Sequence, residues 1–306
     1  MSTGPVLETT LGPLRLKNPV MTASGTFGYG TEFEPVMDPG LLGAIVVKGL
    51  SLRPMKGNSP PRIVETPAGM LNAIGLANIG IEEFIKNRLP RLKNLDTHVI
   101  VNIYGHTIGE FSELAGIIKG VEGISAIEVN ISCPNVDKGG MAFGKDPDIS
   151  YRVTEAVVKN TNKPVIVKLT PGVTDIIVIA RAVEQAGATC VSLINTLTGM
   201  AIDIDTFKPR LANITGGLSG PAIRPVALHM VYQVVRAVKI PVIGMGGIMD
   251  YRDAIEFLIA GARAIQVGTA NFINPQTTID IIEGIKKYCL EKGFDNITEI
   301  IGTMKS

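Results

Sequence analysis

The sequence has few cysteines and no cysteine pairs. Its 306 residues include three cysteines, Cys133, Cys190 and Cys289, which are widely spaced and form no C-x-x-C motif. This spacing argues against a disulfide framework, a zinc site and an iron–sulfur cluster on this chain. The histidines lack metal-ligand spacing, so we expect no metal site. Such cysteine usage is typical of a reducing compartment, and we expect a cytoplasmic protein.

The sequence also lacks long apolar runs and an excess of one charge. No uncharged apolar run reaches the roughly 18 residues that a membrane span needs, and the N-terminus MSTGPVLETTLG lacks the pattern of a signal peptide. The chain has 29 Lys+Arg and 28 Asp+Glu, a formal net charge of +1. This balance argues against a large nucleic-acid or anionic-membrane surface. We therefore expect small-molecule chemistry.

The composition predicts a globular protein. The chain is 45% hydrophobic, too apolar for a disordered protein, and 19% charged, too few charges for a coiled coil. A chain of this length buries roughly 75% of its unfolded surface. We expect one domain over residues 1–306, although the length alone would also allow two.

Eight short apolar runs rich in Val and Ile recur along the chain. They are residues 19–24, 44–49, 98–105, 126–132, 164–170, 190–196, 241–247 and 264–270. Continuous runs of this length are typical of parallel strands that are covered on both faces. Helical spacing lies between several of them, with Thr107 and Glu110 as a capping-box signature and with Asp175 and Asp250 near two further helix starts.

This alternation predicts an α/β fold of the (β/α)8 TIM-barrel type. A doubly wound sheet is the alternative, but no G-x-G-x-x-G turn opens a helix. Residues 6–20 contain a Gly-Pro turn and predict an N-terminal β-hairpin that closes the bottom of the barrel. Residues 50–80 and 197–220 are long loops after the second and sixth strands, so we place them at the C-terminal mouth.

Polar residues gather at the carboxyl ends of the predicted strands. They are Lys48, Asn102, Asn130, Cys133, Lys168, Asn195 and Thr196. A single such residue is more often a cap or a solvated tip. So many at the same end of the strands indicate a ligand site instead, because burying them unpaired would be costly.

The last two strands end in glycine. Gly244, Gly246 and Gly247 close the seventh strand, and Gly268 with Thr269 closes the eighth. Turn glycines are the simpler interpretation. Two adjacent strand ends with bare backbone, at the usual phosphate position of this fold, favour a phosphorylated cofactor.

Cys133 differs from the other two cysteines, which read as buried core residues. It stands in the segment NISCPN, before a Gly-rich stretch that we interpret as a lid over residues 134–145. A thiol of lowered pKa acts as a base or as a nucleophile, and the residues themselves do not decide between the two.

With these residues identified, the chain resembles the class 1 dihydroorotate dehydrogenases, and more closely the class 1B catalytic subunit. The segments that carry the resemblance are 18–30 (NPVMTASGTFGYG), 66–78 (TPAGMLNAIGLAN), 128–135 (EVNISCPN), 193–204 (LINTLTGMAIDI), 216–228 (GGLSGPAIRPVAL) and 243–248 (IGMGGI). The resemblance implies FMN in the barrel mouth and oxidation of dihydroorotate to orotate in pyrimidine biosynthesis.

The resemblance also implies roles for individual residues. The implied FMN contacts are Ser24, Lys48, Gly49, Asn102, Asn130, Lys168, Ile194, Gly220, Gly246, Gly247, Gly268 and Thr269. The implied substrate contacts are Lys48, Asn72, Ala73, Ile74, Gly75, Leu76, Asn130, Asn195 and Thr196. Lys168 would stabilise the anion of the reduced flavin, and Lys48 would pair with the substrate carboxylate. Cys133 takes the position of the base that removes the C5 proton of the substrate.

Class 1B relatives imply a partner protein. Their catalytic subunits pass electrons to a subunit that carries FAD and a 2Fe–2S cluster and reduces NAD, whereas class 1A homodimers use fumarate. The string SGTFGYG favours class 1B, so we expect a dimer of this chain flanked by two electron-transfer subunits, a heterotetramer. Two alternatives remain. One is a tRNA dihydrouridine synthase, which would require a basic surface to bind RNA, and the other is a non-enzymatic flavin-binding barrel.

Overall fold

The structure is a computed structural model and describes residues 4–132 and 143–305. Cys133 and most of the predicted lid, residues 134–145, lie outside the described residues. In chain order the strands are β1 (Thr9–Leu11), β2 (Leu14–Leu16), β3 (Val20–Thr22), β4 (Ala44–Val46), β5 (Ile63–Thr66), β6 (Gly69–Asn72), β7 (His98–Ile103), β8 (Ala126–Asn130), β9 (Val165–Lys168), β10 (Cys190–Leu193), β11 (Leu197–Met200), β12 (Ile202–Asp203), β13 (Lys208–Pro209), β14 (Thr215–Ser219), β15 (Val242–Met245) and β16 (Ala264–Val267).

Helices follow most of the long strands. They are α1 (Ile81–Glu83), α2 (Leu89–Leu92), α3 (Ile108–Lys119), α4 (Pro147–Asn160), α5 (Ile176–Gln185), α6 (Arg224–Val235), α7 (Tyr251–Ile259), α8 (Ala270–Ile273) and α9 (Thr277–Lys292). A π-helical turn, Phe84–Arg88, joins α1 to α2. No helix in the described part of the chain is both long and apolar enough to cross a membrane.

Eight parallel strands close into a barrel in the order β10-β15-β16-β3-β4-β7-β8-β9. Each of them lies inside one of the eight apolar runs. The predicted (β/α)8 barrel is therefore confirmed, and the doubly wound sheet is excluded. The main core lies between the outward faces of these strands and the surrounding helices, because the strands are apolar on both faces.

Side chains at the helix starts determine where several helices begin. The Oγ1 of Thr107 accepts a bond from the Glu110 N–H at 3.1 Å, and Asp175 and Asp250 cap α5 and α7 in the same way. The Glu110 carboxylate accepts from the His106 N–H at 2.7 Å rather than from the Thr107 N–H. The predicted capping box thus has its first bond, while its return bond reaches one residue further back.

The N-terminal hairpin closes the bottom of the barrel, as predicted. Strands β1 and β2 pair antiparallel, and Leu11, Leu14 and Leu16 are buried. These leucines pack in one cluster with residues inside the barrel, most of them near the strand starts: Met21, Ala44, Val46, Ile100, Ala126, Ile166, Cys190, Ile243 and Ala264.

The two long connections at the mouth form a small sheet, the mouth sheet, which the sequence pattern did not predict. Strands β5 and β6 of the first connection and β11 and β14 of the second form an antiparallel sheet in the order β11-β14-β6-β5. The pairing of Asn72 with Gly217 joins the two connections. They therefore build one wall over the mouth of the barrel.

Candidate active site

The carboxyl ends of the barrel strands meet around a cavity of about 480 Å³, the mouth cavity. Gly244 lies buried within β15 and does not line this cavity, and Cys133 lies outside the described residues. The structure brings all the other predicted site residues to the cavity. They are Ser24, Lys48, Gly49, Asn72, Ala73, Ile74, Gly75, Leu76, Asn102, Asn130, Lys168, Ile194, Asn195, Thr196, Gly220, Gly246, Gly247, Gly268 and Thr269. Their convergence follows from the barrel, which directs the carboxyl end of every strand to one mouth.

A buried carboxylate lies beneath this cavity. Glu128 has no exposed surface, and its carboxylate accepts bonds from Asn102 Nδ2 at 2.7 Å, Ser192 Oγ at 2.9 Å and Gln266 Nε2 at 2.8 Å. Glu128, Ser192 and Gln266 were not predicted as site residues. The only signal in the sequence is a polar residue in the first half of each of three strand runs, ahead of the polar residues at the carboxyl ends of those runs.

Lys168 brings a buried positive charge to the cavity wall. Its side chain is on β9, the residue is 4% exposed, and its only hydrogen-bond partner among the described residues is Ser24 Oγ at 3.1 Å. A hydroxyl does not neutralise an ammonium group. Lys168 is therefore suited to an anionic ligand atom.

Lys48 brings a second cation to the wall near the mouth sheet. Burial lowers the pKa of its ammonium group from the ordinary value, the Arg62 charge lowers that pKa further, and Glu32 partly opposes the shift. Arg62 also lines the mouth cavity. Two cations on one wall favour a ligand carboxylate there.

Ser132 orients two of the predicted amides, although its position in the sequence did not mark it as a site residue. Its Oγ donates to Asn130 Oδ1 at 2.6 Å and accepts from Asn195 Nδ2. Asn195 Oδ1 in turn accepts from the Thr196 N–H at 2.8 Å. The oxygen of Asn130 is thus engaged, and its NH2 group makes no bond to the described residues. A donor is left for a ligand.

The ends of β15 and β16 offer bare backbone to the cavity. Gly246 and Gly247 have φ values of +123° and +76°. A Cβ on Gly247 would lie 2.7 Å from the Cβ of Arg224, so no larger residue fits without a shift. Arg224 forms an ion pair with Asp253, whose carboxylate also accepts from the Met249 N–H at 2.8 Å. The turn is held from both sides.

The two described cysteines lie away from this chemistry. Cys190 is fully buried, and burial raises the pKa of its thiol to about 12. Burial, and then the Glu299 charge, also raises the pKa of the Cys289 thiol. Both thiols are poor nucleophiles, which agrees with their interpretation as core residues.

The chain is similar over most of its length to one known protein family and to individual relatives. A family model described as dihydroorotate dehydrogenase matches residues 6–289. A protein of Citrifermentans bemidjiense is 54% identical over 301 residues, 98% of this chain and 99% of its own length. A protein of a Thermoanaerobacter species is 57% identical over 299 residues, again 98% and 99%. Both relatives are named dihydroorotate dehydrogenase B (NAD⁺), catalytic subunit.

Proposed function

The chain belongs to the dihydroorotate dehydrogenase family, and on this basis we propose that it is the catalytic subunit of an NAD-dependent enzyme that oxidises dihydroorotate to orotate in pyrimidine biosynthesis. One observation carries the proposal. The cavity at the barrel mouth is lined by four cationic side chains, a set of amides and a glycine turn, which together suit a phosphorylated flavin and an anionic ring substrate.

The residues present fit FMN. The glycine turn Gly246–Gly247 with Gly268 and Thr269 leaves room and backbone N–H groups for a phosphate. Lys168 offers a buried positive charge without a carboxylate partner among the described residues. Asn102 Oδ1 is a buried acceptor with no partner among the described residues, suited to a ring N–H. The remaining residues that we propose to contact FMN are Ser24, Lys48, Gly49, Asn130, Ile194 and Gly220.

FMN, when bound, supplies the acceptor for the hydride that leaves the substrate. This chain holds the charges and atoms around that transfer. Lys168 stabilises negative charge on the ring, since its ammonium group is already desolvated and needs no reorganisation.

Lys48 and the amides bind the substrate in this proposal. The Lys48 ammonium pairs with the substrate carboxylate, and Asn130, with its oxygen engaged by Ser132, donates from its NH2 group. The segment Asn72 to Leu76, with Asn195 and Thr196, completes the contacts on the wall built by the mouth sheet. These residues would hold the substrate ring in place beside the bound flavin.

Cys133 is the proposed base for the C5 proton. In the sequence it directly follows Ser132, which lines the mouth cavity. A free thiol has a pKa of about 8.5, close enough to neutral to accept a proton with modest help.

We also propose a partner subunit that carries FAD and a 2Fe–2S cluster and passes electrons to NAD, in a cytoplasmic heterotetramer around a dimer of this chain. The relatives' name, catalytic subunit, supports a second chain. A 2Fe–2S cluster takes four cysteine thiolates as a rule, and this chain has three widely spaced cysteines. The cluster therefore belongs on another protein.

Turnover assays test this function. The chain is purified alone and after co-expression with its candidate partner, and orotate formation is followed with NAD or with fumarate. We expect NAD-dependent turnover only with the partner. Efficient turnover by the chain alone with fumarate would contradict the NAD assignment and favour the fumarate-dependent class. Dihydrouridine formation on tRNA, without orotate formation, would contradict the proposed substrate.

A further inference from the structure

The carboxylate of Glu128 holds three donors inside the barrel. It receives Asn102 Nδ2, Ser192 Oγ and Gln266 Nε2 at 2.7, 2.9 and 2.8 Å, and it donates to none of them. The three donors come from strands β7, β10 and β16, which lie on different sides of the barrel. Glu128 therefore ties together side chains from across the barrel.

This arrangement fixes which way each amide faces. An ionised carboxylate only accepts hydrogen bonds, so both amides must turn their NH2 groups toward Glu128 and their oxygens away from it. Asn102 Oδ1 and Gln266 Oε1 are buried and have no partner among the described residues. Both residues line the mouth cavity. Asn271 Oδ1 is also unpartnered, but Asn271 does not line the cavity.

Buried acceptors without a donor cost free energy, and a ligand with N–H groups removes that cost. We propose that Glu128 is a positioning residue that holds the Asn102 and Gln266 amides with their oxygens toward the mouth cavity, where these two oxygens form an acceptor floor for the ring N–H of the flavin. This inference rests on the proposed binding of FMN. Glu128 acts through the two amides.

The depth of the two amides favours the flavin over the substrate as the donor. Asn102 and Gln266 are 0% and 1% exposed, whereas Asn195 and Thr196, which we propose as substrate contacts alone, are both partly exposed. The floor is therefore the deepest part of the cavity. The oxidised flavin has one ring N–H, at N3, and that atom is the natural donor to an acceptor floor.

The variant Glu128→Gln tests the positioning directly. Glutamine has the same shape, but it replaces one carboxylate oxygen with an NH2 group. That NH2 group cannot accept, so the side chain facing it must present an oxygen instead. If the Asn102 or Gln266 amide turns its oxygen toward the glutamine at position 128, its NH2 group then faces the mouth cavity. Two donors, that NH2 group and the flavin N–H, would oppose each other and form no hydrogen bond.

The experiment compares FMN with N3-methyl FMN, which lacks the ring N–H. Apoprotein is titrated with each flavin, without substrate, and the dissociation constants are read from flavin fluorescence. We expect the unmodified protein to prefer FMN about 10- to 100-fold. Glu128→Gln is expected to weaken FMN binding by a similar factor and to leave N3-methyl FMN binding nearly unchanged, so the preference is lost.

Two variants serve as controls. Ser192→Ala removes one donor to Glu128 but no floor acceptor, and Glu128→Asp keeps a carboxylate. Both are expected to retain the preference for FMN. A merely structural role for Glu128 would weaken both flavins equally, and the ratio of the two dissociation constants separates that case.

Several results would overturn the inference. These are equal binding of both flavins by the unmodified protein, or an unchanged preference in Glu128→Gln. If Glu128→Gln does not fold, the same ratio is measured for Asn102→Leu, where we expect the preference to fall and an unchanged preference would overturn the inference. Failure of the unmodified protein to bind FMN at all would instead contradict the proposed function.

Discussion

Two lysines at the mouth differ in the charge that surrounds them. Lys168 is almost fully buried and has a hydroxyl partner, while Lys48 is half-buried on the same wall as Arg62. In our proposal Lys168 serves the flavin and Lys48 serves the substrate carboxylate. Their different surroundings lead to a testable pH dependence for one of them.

Substrate affinity is expected to fall at high pH through Lys48. Burial and Arg62 lower the pKa of its ammonium group from the ordinary value. The charged form pairs with the substrate carboxylate, so affinity is full at neutral pH and falls as pH rises through this lowered pKa, before an ordinary lysine with a pKa of about 10.4 would titrate. Orotate binding measured by flavin absorbance between pH 7 and 10.5 gives the profile.

Variants of Lys48 provide the control. Lys48→Met is expected to weaken orotate binding about 10- to 100-fold at pH 7. Lys48→Arg keeps its charge over the whole pH range, and we expect its alkaline fall to disappear. An alkaline fall of the same size in Lys48→Arg would assign the titration to another group.

Sequence alone identified the residues that line the mouth but missed those beneath it. Lys48, Asn102 and Asn195 stand at the ends of apolar runs, where their polarity is conspicuous. Glu128 stands inside a run, where a polar residue is usually only an exception to the apolar pattern of a strand. Only the closed barrel brings Glu128 to Ser192 and Gln266, residues 64 and 138 positions away in the chain.

Among the elements, the N-terminal hairpin and the glycine turn after β15 have separate tasks. The hairpin fills the bottom of the barrel, and the turn shapes the mouth. In barrel enzymes, residues at the bottom contribute mainly to stability, and residues at the top carry the chemistry. Changes in these two elements should therefore affect different measurements.

Leu16→Ala is expected to destabilise the fold. Leu16 has no exposed surface and packs inside the barrel, so its truncation leaves a cavity and costs about 2–5 kcal/mol. The neighbouring Arg15 has a side chain that is 79% exposed and pairs with Glu8, so Arg15→Ala should cost about 0–1 kcal/mol. Urea unfolding measures both. Equal losses would contradict the role of the hairpin as a plug.

Gly247→Ala is expected to weaken FMN binding about 10- to 100-fold. Its φ of +76° strains any other residue, and a Cβ there would lie 2.7 Å from Arg224 Cβ. Gly116→Ala is the matched control, because it lies in α3 and no atom of the described residues is within 4 Å of the added Cβ. That control should stabilise the helix by about 1 kcal/mol and leave FMN affinity unchanged. FMN titration of both variants is the measurement, and equal affinities would contradict the phosphate role of the turn.

The element pattern was predictable because each barrel strand is buried on both faces and carries its own apolar signal. The hairpin was predictable from its Gly-Pro turn. The mouth sheet was not, because β6 and β14 are short, glycine-rich and separated by more than 140 residues, as the Asn72–Gly217 contact shows. Their pairing depends on the barrel that brings the two connections together.

At the scale of the whole molecule, one scaffold holds the proposed chemistry at a single mouth. The closed barrel supplies rigid strand ends, and the two long connections supply the wall. Cys133, the proposed base, directly follows Ser132 in the chain, and Ser132 lines that mouth. The central claim is that these parts together oxidise dihydroorotate.

Anaerobic reduction of the bound flavin tests this claim most directly. Protein loaded with FMN is mixed with dihydroorotate in the absence of oxygen, and the visible absorbance of the oxidised flavin is followed in a stopped-flow instrument. We predict bleaching in the unmodified protein. In Cys133→Ser we predict bleaching slowed at least about 100-fold at neutral pH with FMN still bound, because loss of a general base costs roughly 10²–10⁴ in rate. Retention of full absorbance by the unmodified protein, with FMN bound and dihydroorotate in excess, would contradict the account.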